Sequence, residues 1–128
     1  MNARKIFETV KGELQLIRMY ERHKQELTTF LSEVCGDDQK RQQELQEIRK
    51  AEKAILQQAL GHVRQAEQII GSMSDGVNKS LLYAHYLLGL NWKETGKELG
   101  YSGKTTRDFL RTKALQEAQK VLDSLNQK

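Results

Sequence analysis

The 128-residue chain has no proline, one cysteine, three histidines and one tryptophan, and only 6% of its residues are aromatic. Each shortage removes a class of protein. With no proline to delete a backbone N–H or clash with the preceding turn, and with Gln, Glu, Lys, Arg, Leu and Ala abundant, long helices and an all-α architecture are expected. The lone Cys35 cannot form an internal disulfide. With no second cysteine and no histidine cluster there is no metal-site signature, so Cys35 reads as a small apolar residue at a helix end. No run of about 18 apolar residues exists, and the opening segment mixes charge with apolar positions at helical spacing. Neither a transmembrane span nor a signal peptide is expected, which points to a cytoplasmic protein without a membrane role.

The length fits one domain, or a small domain with a helical extension. Hydrophobic residues make up 38% and charged residues 30%, with a mean hydropathy of −0.71, which implies a slim, elongated core. The net charge of +4 is unevenly placed. Residues 1–76 carry 12 Lys+Arg against 12 Asp+Glu, whereas residues 77–128 carry 9 against 5. The whole excess lies in the C-terminal part, which suits an acidic partner there, nucleic acid above all.

In the N-terminal part, apolar residues fall at Ile6, Val10, Leu14, Ile17, Tyr20, Leu27, Leu31 and Val34, with Phe7 and Phe30 beside them. A second stripe runs through Leu45, Ile48, Ala51, Ile55, Ala59, Val63, Ala66 and Ile70. Steps of three and four residues put each stripe on one helix face. Between them, Cys35-Gly36-Asp37-Asp38 offers a glycine for a helix end and aspartates for the next helix start. Residues 1–70 are therefore expected to form a long, coiled-coil-like helical hairpin for dimerisation or partner binding, its seams pairing within one chain or between two. Gly61 inside the second arm marks a close approach or a bend. The small, polar stretch 71–76 reads as a hinge that leaves the orientation of the next module, 77–128, loosely set.

That module starts with a helix over Val77 to Leu88 whose Leu81, Leu82, Ala84, Tyr86 and Leu88 form an apolar surface closed by Gly89. Asn91 is placed to cap a short helix, with Glu94 completing a capping box. Within that helix Trp92, Thr95, Gly96 and Leu99 face inward, and Gly96 admits a close partner. Gly100 turns the corner and Tyr101 is expected to bury behind it. Ser102 caps the second helix, in which Thr106, Phe109, Leu110 and Ala114 line the inner face. Lys104, Thr105, Arg107, Asp108 and Arg111 then point outward, and apart from Asp108 they suit phosphates and base edges. A corner this short between two helices is the signature of a helix-turn-helix that lays its second helix in the major groove.

The segment Leu82 to Leu115 resembles the helix-turn-helix of region 4 of bacterial sigma factors. It is more similar still to small phage-encoded regulators of the ArpU type. The resemblance is carried by Tyr86, Gly89, Trp92, Glu94, the Leu99-Gly100-Tyr101-Ser102 corner and Lys113-Ala114-Leu115, about a quarter of the chain. It implies a phage or prophage transcriptional regulator that binds promoter DNA in the bacterial cytoplasm. Base or phosphate contacts are implied at Gly103, Lys104, Thr105, Arg107 and Asp108, with Thr106 and Phe109 turned inward. One residue more than the sigma pattern separates Ser102 from Ala114, which shifts the helix face beyond about Phe109. Asp108 is tolerated next to phosphate if it accepts from a cytosine amino group or pairs with Arg111 or Lys104.

The expected DNA-binding set is thus Ser102, Gly103, Lys104, Thr105, Arg107, Asp108 and Arg111. Double-stranded DNA is the expected partner, with the hairpin serving homodimerisation or contact with RNA polymerase. No nucleophile motif, glycine-rich phosphate loop, cofactor site or metal site is recognisable, and His23, His62 and His85 fall far apart on different helices. Catalysis is not expected. Trp92 and Tyr101 are spaced for packing rather than for base stacking. Two alternative readings use the same elements: a DNA-packaging recognition subunit of the small-terminase kind, and a helical adaptor that grips RNA polymerase or a repressor while the corner serves as scaffold.

Overall fold

The computed structural model describes residues 2–33 and 39–127; these are all-helical, with no strand among them. Two long helices come first, α1 (Ala3–Glu33) and α2 (Gln39–Ser72). They pair antiparallel: Glu13 meets His62 at 2.7 Å, and further out Lys24 meets Glu52 at 2.8 Å. Near the far end Leu27, Leu45 and Ile48 form a small apolar cluster with Tyr20 against it. The expected turn at Cys35-Gly36-Asp37-Asp38, together with Val34 and the side chain of Leu31, lies outside the described residues.

Glu52 interrupts the second apolar stripe and is nevertheless buried. One of its oxygens takes the Lys24 ammonium, which also bonds Glu21 at 2.7 Å, and the other oxygen has no partner. A buried charge is tolerated only opposite a partner, so this pair acts more to fix the register of α1 on α2 than to add stability. Gly61 was a candidate for a close approach or a bend. An added Cβ there would meet no atom within 4 Å, so no neighbouring element approaches it.

The main core lies where α1 and α2 meet the C-terminal elements. Ala3, Ile6, Phe7 and Val10 from α1 and Ala66, Ile69 and Met73 from the end of α2 pack on Leu81, Leu82, Tyr86, Ala114 and Ala118. One apolar cluster therefore spans both sides of the 71–76 stretch. The loose hinge expected there is not found: α2 continues through Gly71 and Ser72, and Met73 is buried. Glu117 accepts the backbone N–H groups of Ser74 (3.0 Å) and Asp75 (3.4 Å) and the side-chain amide of Asn78 (3.0 Å). Those donors, Asn78 first, hold the Glu117 carboxyl below its ordinary range. Small polar residues marked a break between helices correctly, while the carboxylate that ties the break down is some forty residues away in sequence.

Helix α3 (Gly76–Leu82) is capped by Asp75, whose side chain accepts from Val77 and Asn78 N–H. It runs on into a π turn, Tyr83–Leu87, with the Leu88 N–H bonded to the Tyr83 carbonyl at 2.9 Å, and the chain leaves it through Gly89 at φ 78°. An i→i+5 turn takes an extra residue to come round. The consequence is a one-residue shift of the buried face: Leu87 is buried and Leu88 is 52% exposed, the reverse of the expectation for Leu88.

Helix α4 (Trp92–Leu99) follows, then the corner, then α5 (Gly103–Thr105), a second π turn (Thr106–Leu110) and α6 (Arg111–Asn126), these last three running on as one helix. The second π turn reconciles two buried positions. Thr106 and Ala114 are both fully buried, yet they are eight residues apart. At about 100° per residue an unbroken α-helix would leave them some 80° out of phase. The wider turn absorbs the surplus and lets both face the core.

Candidate nucleic-acid interface

The corner is built by local bonds. Asn91 accepts from the Glu94 N–H at 2.8 Å while the Glu94 carboxylate accepts from the Asn91 N–H at 3.0 Å, so the capping box closes in both directions. Gly100 sits at φ 82° and ends α4, a conformation that glycine adopts without the Cβ penalty. The Tyr101 N–H returns to the Gly96 carbonyl at 2.8 Å. Gly96 is the point of closest approach: an added Cβ would lie 2.6 Å from the Tyr101 carbonyl oxygen and 2.9 Å from Thr106 Oγ1. Ser102 then caps the next helix, its Oγ accepting from the Thr105 N–H at 3.1 Å.

Thr95 and Thr106 stand where an apolar residue would be usual, and both are fully buried. Each hydroxyl is satisfied by a backbone carbonyl: Thr106 donates to Ser102 at 2.8 Å and Thr95 to Leu90 at 3.4 Å. The corner core is therefore small and polar in composition without leaving those hydroxyls unpaired.

Lys104, Arg107 and Asp108 are exposed, as is Ser102. Arg107 Nε donates to Asp108 at 2.9 Å, and the pair raises the guanidinium pKa and lowers that of the carboxyl. Asp108 thus pairs with its chain neighbour and not with Lys104 or Arg111. Thr105 and Gly103 are half-buried. The Thr105 hydroxyl accepts from Ser102 Oγ at 2.9 Å, and Gly103 approaches the Lys93 backbone so closely that a Cβ would fall 3.0 Å from its Cα.

Three sequence expectations are corrected here. Phe109 is 66% exposed instead of lining the inner face, because the π turn carries it outward and brings Leu110 in. Arg111 is half-buried and lies over the Trp92 ring, 5.6 Å from its centroid, instead of pointing outward, for the same reason. Tyr101 is 47% exposed: the corner keeps its backbone against Gly96 and turns its ring away.

The other face of this site was not anticipated. His85 is 3% exposed and stacks on Trp92 with centroids 3.5 Å apart and planes 16° apart. Its Nδ1 lies 2.8 Å from the Leu90 carbonyl, which can only accept. The proton is therefore on Nδ1, and Nε2 accepts from the Lys11 ammonium of α1 at 3.1 Å. Burial, reinforced by the positive charge of Lys11 and, after the opposing Leu90 bond, of Arg111, pushes the His85 pKa down to about 4. Beside it the Arg18 guanidinium donates to the Leu87 carbonyl at 2.7 Å and packs over Gly89, where a Cβ would come within 2.7 Å of it. Lys11 and Arg18 thus tie α1 to the π turn Tyr83–Leu87 and to the loop that follows it in front of α4. These contacts bridge about seventy residues and leave no local signature.

No protein-family model, curated protein or solved structure matches the chain. Among the described residues no cluster of three His, Cys, Asp or Glu could hold a metal ion, and no helix is long and apolar enough to cross a membrane. What the arrangement offers is an exposed helical face that carries Lys104 and Arg107, a serine hydroxyl at its start and an outward phenyl ring.

Proposed function

We propose that this chain is a phage or prophage sequence-specific DNA-binding transcriptional regulator of the ArpU type. The antiparallel pair α1–α2 acts as a hairpin for dimerisation or RNA polymerase contact. Helix α4, the Gly100 corner and the helix beginning at Ser102 act as a sigma region 4-like helix-turn-helix. The carrying observation is that Lys104 and Arg107 lie uncovered on a capped helix whose backbone is locked against α4 at Gly96.

In this reading Lys104, Arg107 and the N–H groups at the start of the helix hold phosphates or base edges in the major groove. Thr105 contributes a hydroxyl, and Phe109, turned outward, offers an apolar contact for a thymine methyl group. Arg111 is a poorer contact than the first two, because it already lies over Trp92. The reaction class is binding, without catalysis or cofactor.

Fluorescence anisotropy with duplex DNA at several salt concentrations tests it. About four phosphate contacts give a slope near −3.6 in log K against log salt concentration. Lys104→Ala or Arg107→Ala lowers affinity by about 1–3 kcal/mol if the side chain reads a base. Binding that is absent, or indifferent to salt, refutes the assignment.

The small-terminase reading retains one supporting observation. Leu56 and Leu60, four apart on α2, are both 47% exposed, an apolar pair that suits a seam between chains in a ring as well as in a dimer. The mass in solution separates the two: a ring of about eight or more subunits favours packaging, a monomer or dimer favours regulation.

A further inference from the structure

A cleft of about 430 Å³ lies between α1 and the loop leading into α4, lined by Lys11, Gln15, Arg18, Arg22, Gly89 and Asn91 and by the apolar Met19 and Leu90. Three of the eight are cationic. The acidic residues nearest along the chain are already engaged: Glu21, next to Arg22, takes the Lys24 ammonium, Glu13 meets His62, and the Glu94 carboxylate turns back onto the Asn91 N–H. Arg18 is held in position by Leu87 and by the space over Gly89, and that single bond leaves the remaining guanidinium donors unspent. A prepositioned guanidinium beside a second arginine is the donor set that phosphate oxygens match best.

The cleft is also continuous with the helix proposed to face DNA. Asn91 lines the cleft and caps α4; Lys93 follows two residues on; and Gly103, at the start of the second helix, lies against the Lys93 backbone. The stretch Asn91 to Lys93 thus joins the cleft to Gly103, the residue before Lys104.

We propose that this cleft holds a backbone phosphate of the duplex, flanking the segment read by the Lys104 helix, so that α1 is itself part of the DNA-binding surface. The inference rests on the DNA-binding reading and extends the contact from the corner onto the first arm. Arg18 and Arg22 supply the donors, and Lys11 adds positive charge while it remains bonded to His85. Because the contact is to phosphate, it is independent of base sequence.

The test uses the full chain and a mixed-sequence duplex of about two helical turns, on the order of 20 base pairs. Salt titrations compare the wild type, the exposed-site changes Arg22→Gln and Gln15→Glu, Lys104→Ala/Arg107→Ala, and Lys50→Gln on the distal part of α2 as a control charge-matched to Arg22→Gln. Arg22→Gln is expected to reduce the salt slope by about 0.9, the value of one phosphate contact. Adding Gln15→Glu weakens binding further, while Lys50→Gln leaves the slope unchanged. Far-ultraviolet circular dichroism confirms that each variant is folded.

If Arg22→Gln matches Lys50→Gln while Lys104→Ala/Arg107→Ala still weakens binding, the cleft contact is overturned and the corner assignment stands. If the wild type binds no duplex at all, both fall. A parallel titration with inorganic phosphate separates a free anion from the duplex: phosphate binding abolished by Arg22→Gln, with the DNA slope unchanged, also overturns the proposal.

Discussion

Replacing Gly96 by alanine tests the corner directly, because the same substitution elsewhere in the chain should have the opposite sign. In a helix interior alanine is favoured over glycine by about 1 kcal/mol. At Gly96 the new methyl carbon would lie 2.6 Å from the Tyr101 carbonyl oxygen, 2.9 Å from Thr106 Oγ1 and 3.0 Å from the Ser102 carbonyl carbon. None of these is the free end of a flexible side chain. The Tyr101 backbone is bonded to Gly96 itself, and Thr106 Oγ1 is bonded to Ser102. Relief of the clash must stretch that segment, at an overpacking cost of about 1–3 kcal/mol. Weakening the Tyr101 N–H bond adds about 1 kcal/mol. After the propensity gain, Gly96→Ala is expected to destabilise by about 1–3 kcal/mol. At Gly61, where an added Cβ meets nothing within 4 Å, alanine should instead stabilise by about 0.5–1 kcal/mol. Thermal and urea unfolding followed by circular dichroism read both, at roughly 3–5 °C per kcal/mol for a chain of this size. A Gly96→Ala protein that melts higher than the wild type, in step with Gly61→Ala, would refute the close approach on which the corner depends.

Other outcomes follow from single contacts. His85 has a folded-state pKa near 4, below its ordinary 6.5, so the stability it contributes is complete above about pH 6.5 and is lost as pH falls through 4. On the order of 2 kcal/mol is at stake after allowance for solvent screening; melting temperature against pH should fall less steeply for His85→Gln than for the wild type, and parallel curves would contradict this. Phe109→Ser should change stability by less than about 0.5 kcal/mol, since the ring is exposed, whereas a core phenylalanine would cost about 3–5 kcal/mol; equilibrium unfolding decides. Asn91→Ala removes one half of the capping box and should cost about 1 kcal/mol, with Asn91→Asp largely restoring the loss.

What the sequence disclosed was what is encoded within a few residues. The capping box at Asn91 and Glu94, the Ser102 cap and the glycine at the corner each involve partners three or four positions apart, and all were legible. So were the two long amphipathic stripes, though Glu52 took a buried place that an apolar pattern reserves for a hydrophobe. The π turns were hidden because they arise from a conflict between local spacing and distant packing. The surplus residue between Ser102 and Ala114 signals a shift of the helix face but not its direction, and local spacing alone puts Phe109 inward and Arg111 outward. Arg18 on Leu87, Lys11 on His85 and Glu117 on Ser74 join residues 69, 74 and 43 positions apart. Nothing in the neighbouring sequence distinguishes these side chains from other surface charges.

The π turn at Thr106–Leu110 gives this helix an unusual tolerance. Excising one residue, Asp108 for instance, would shorten the interval between Thr106 and Ala114 from eight to seven, close to two turns of an ordinary α-helix. The hydrophobic interior would accept the deletion with little complaint. The solvent side would not: Arg107 would lose its carboxylate neighbour, and the phenyl ring would swing back toward the protein. Length variation at this point can therefore rewrite what the helix displays while leaving what it rests on almost untouched.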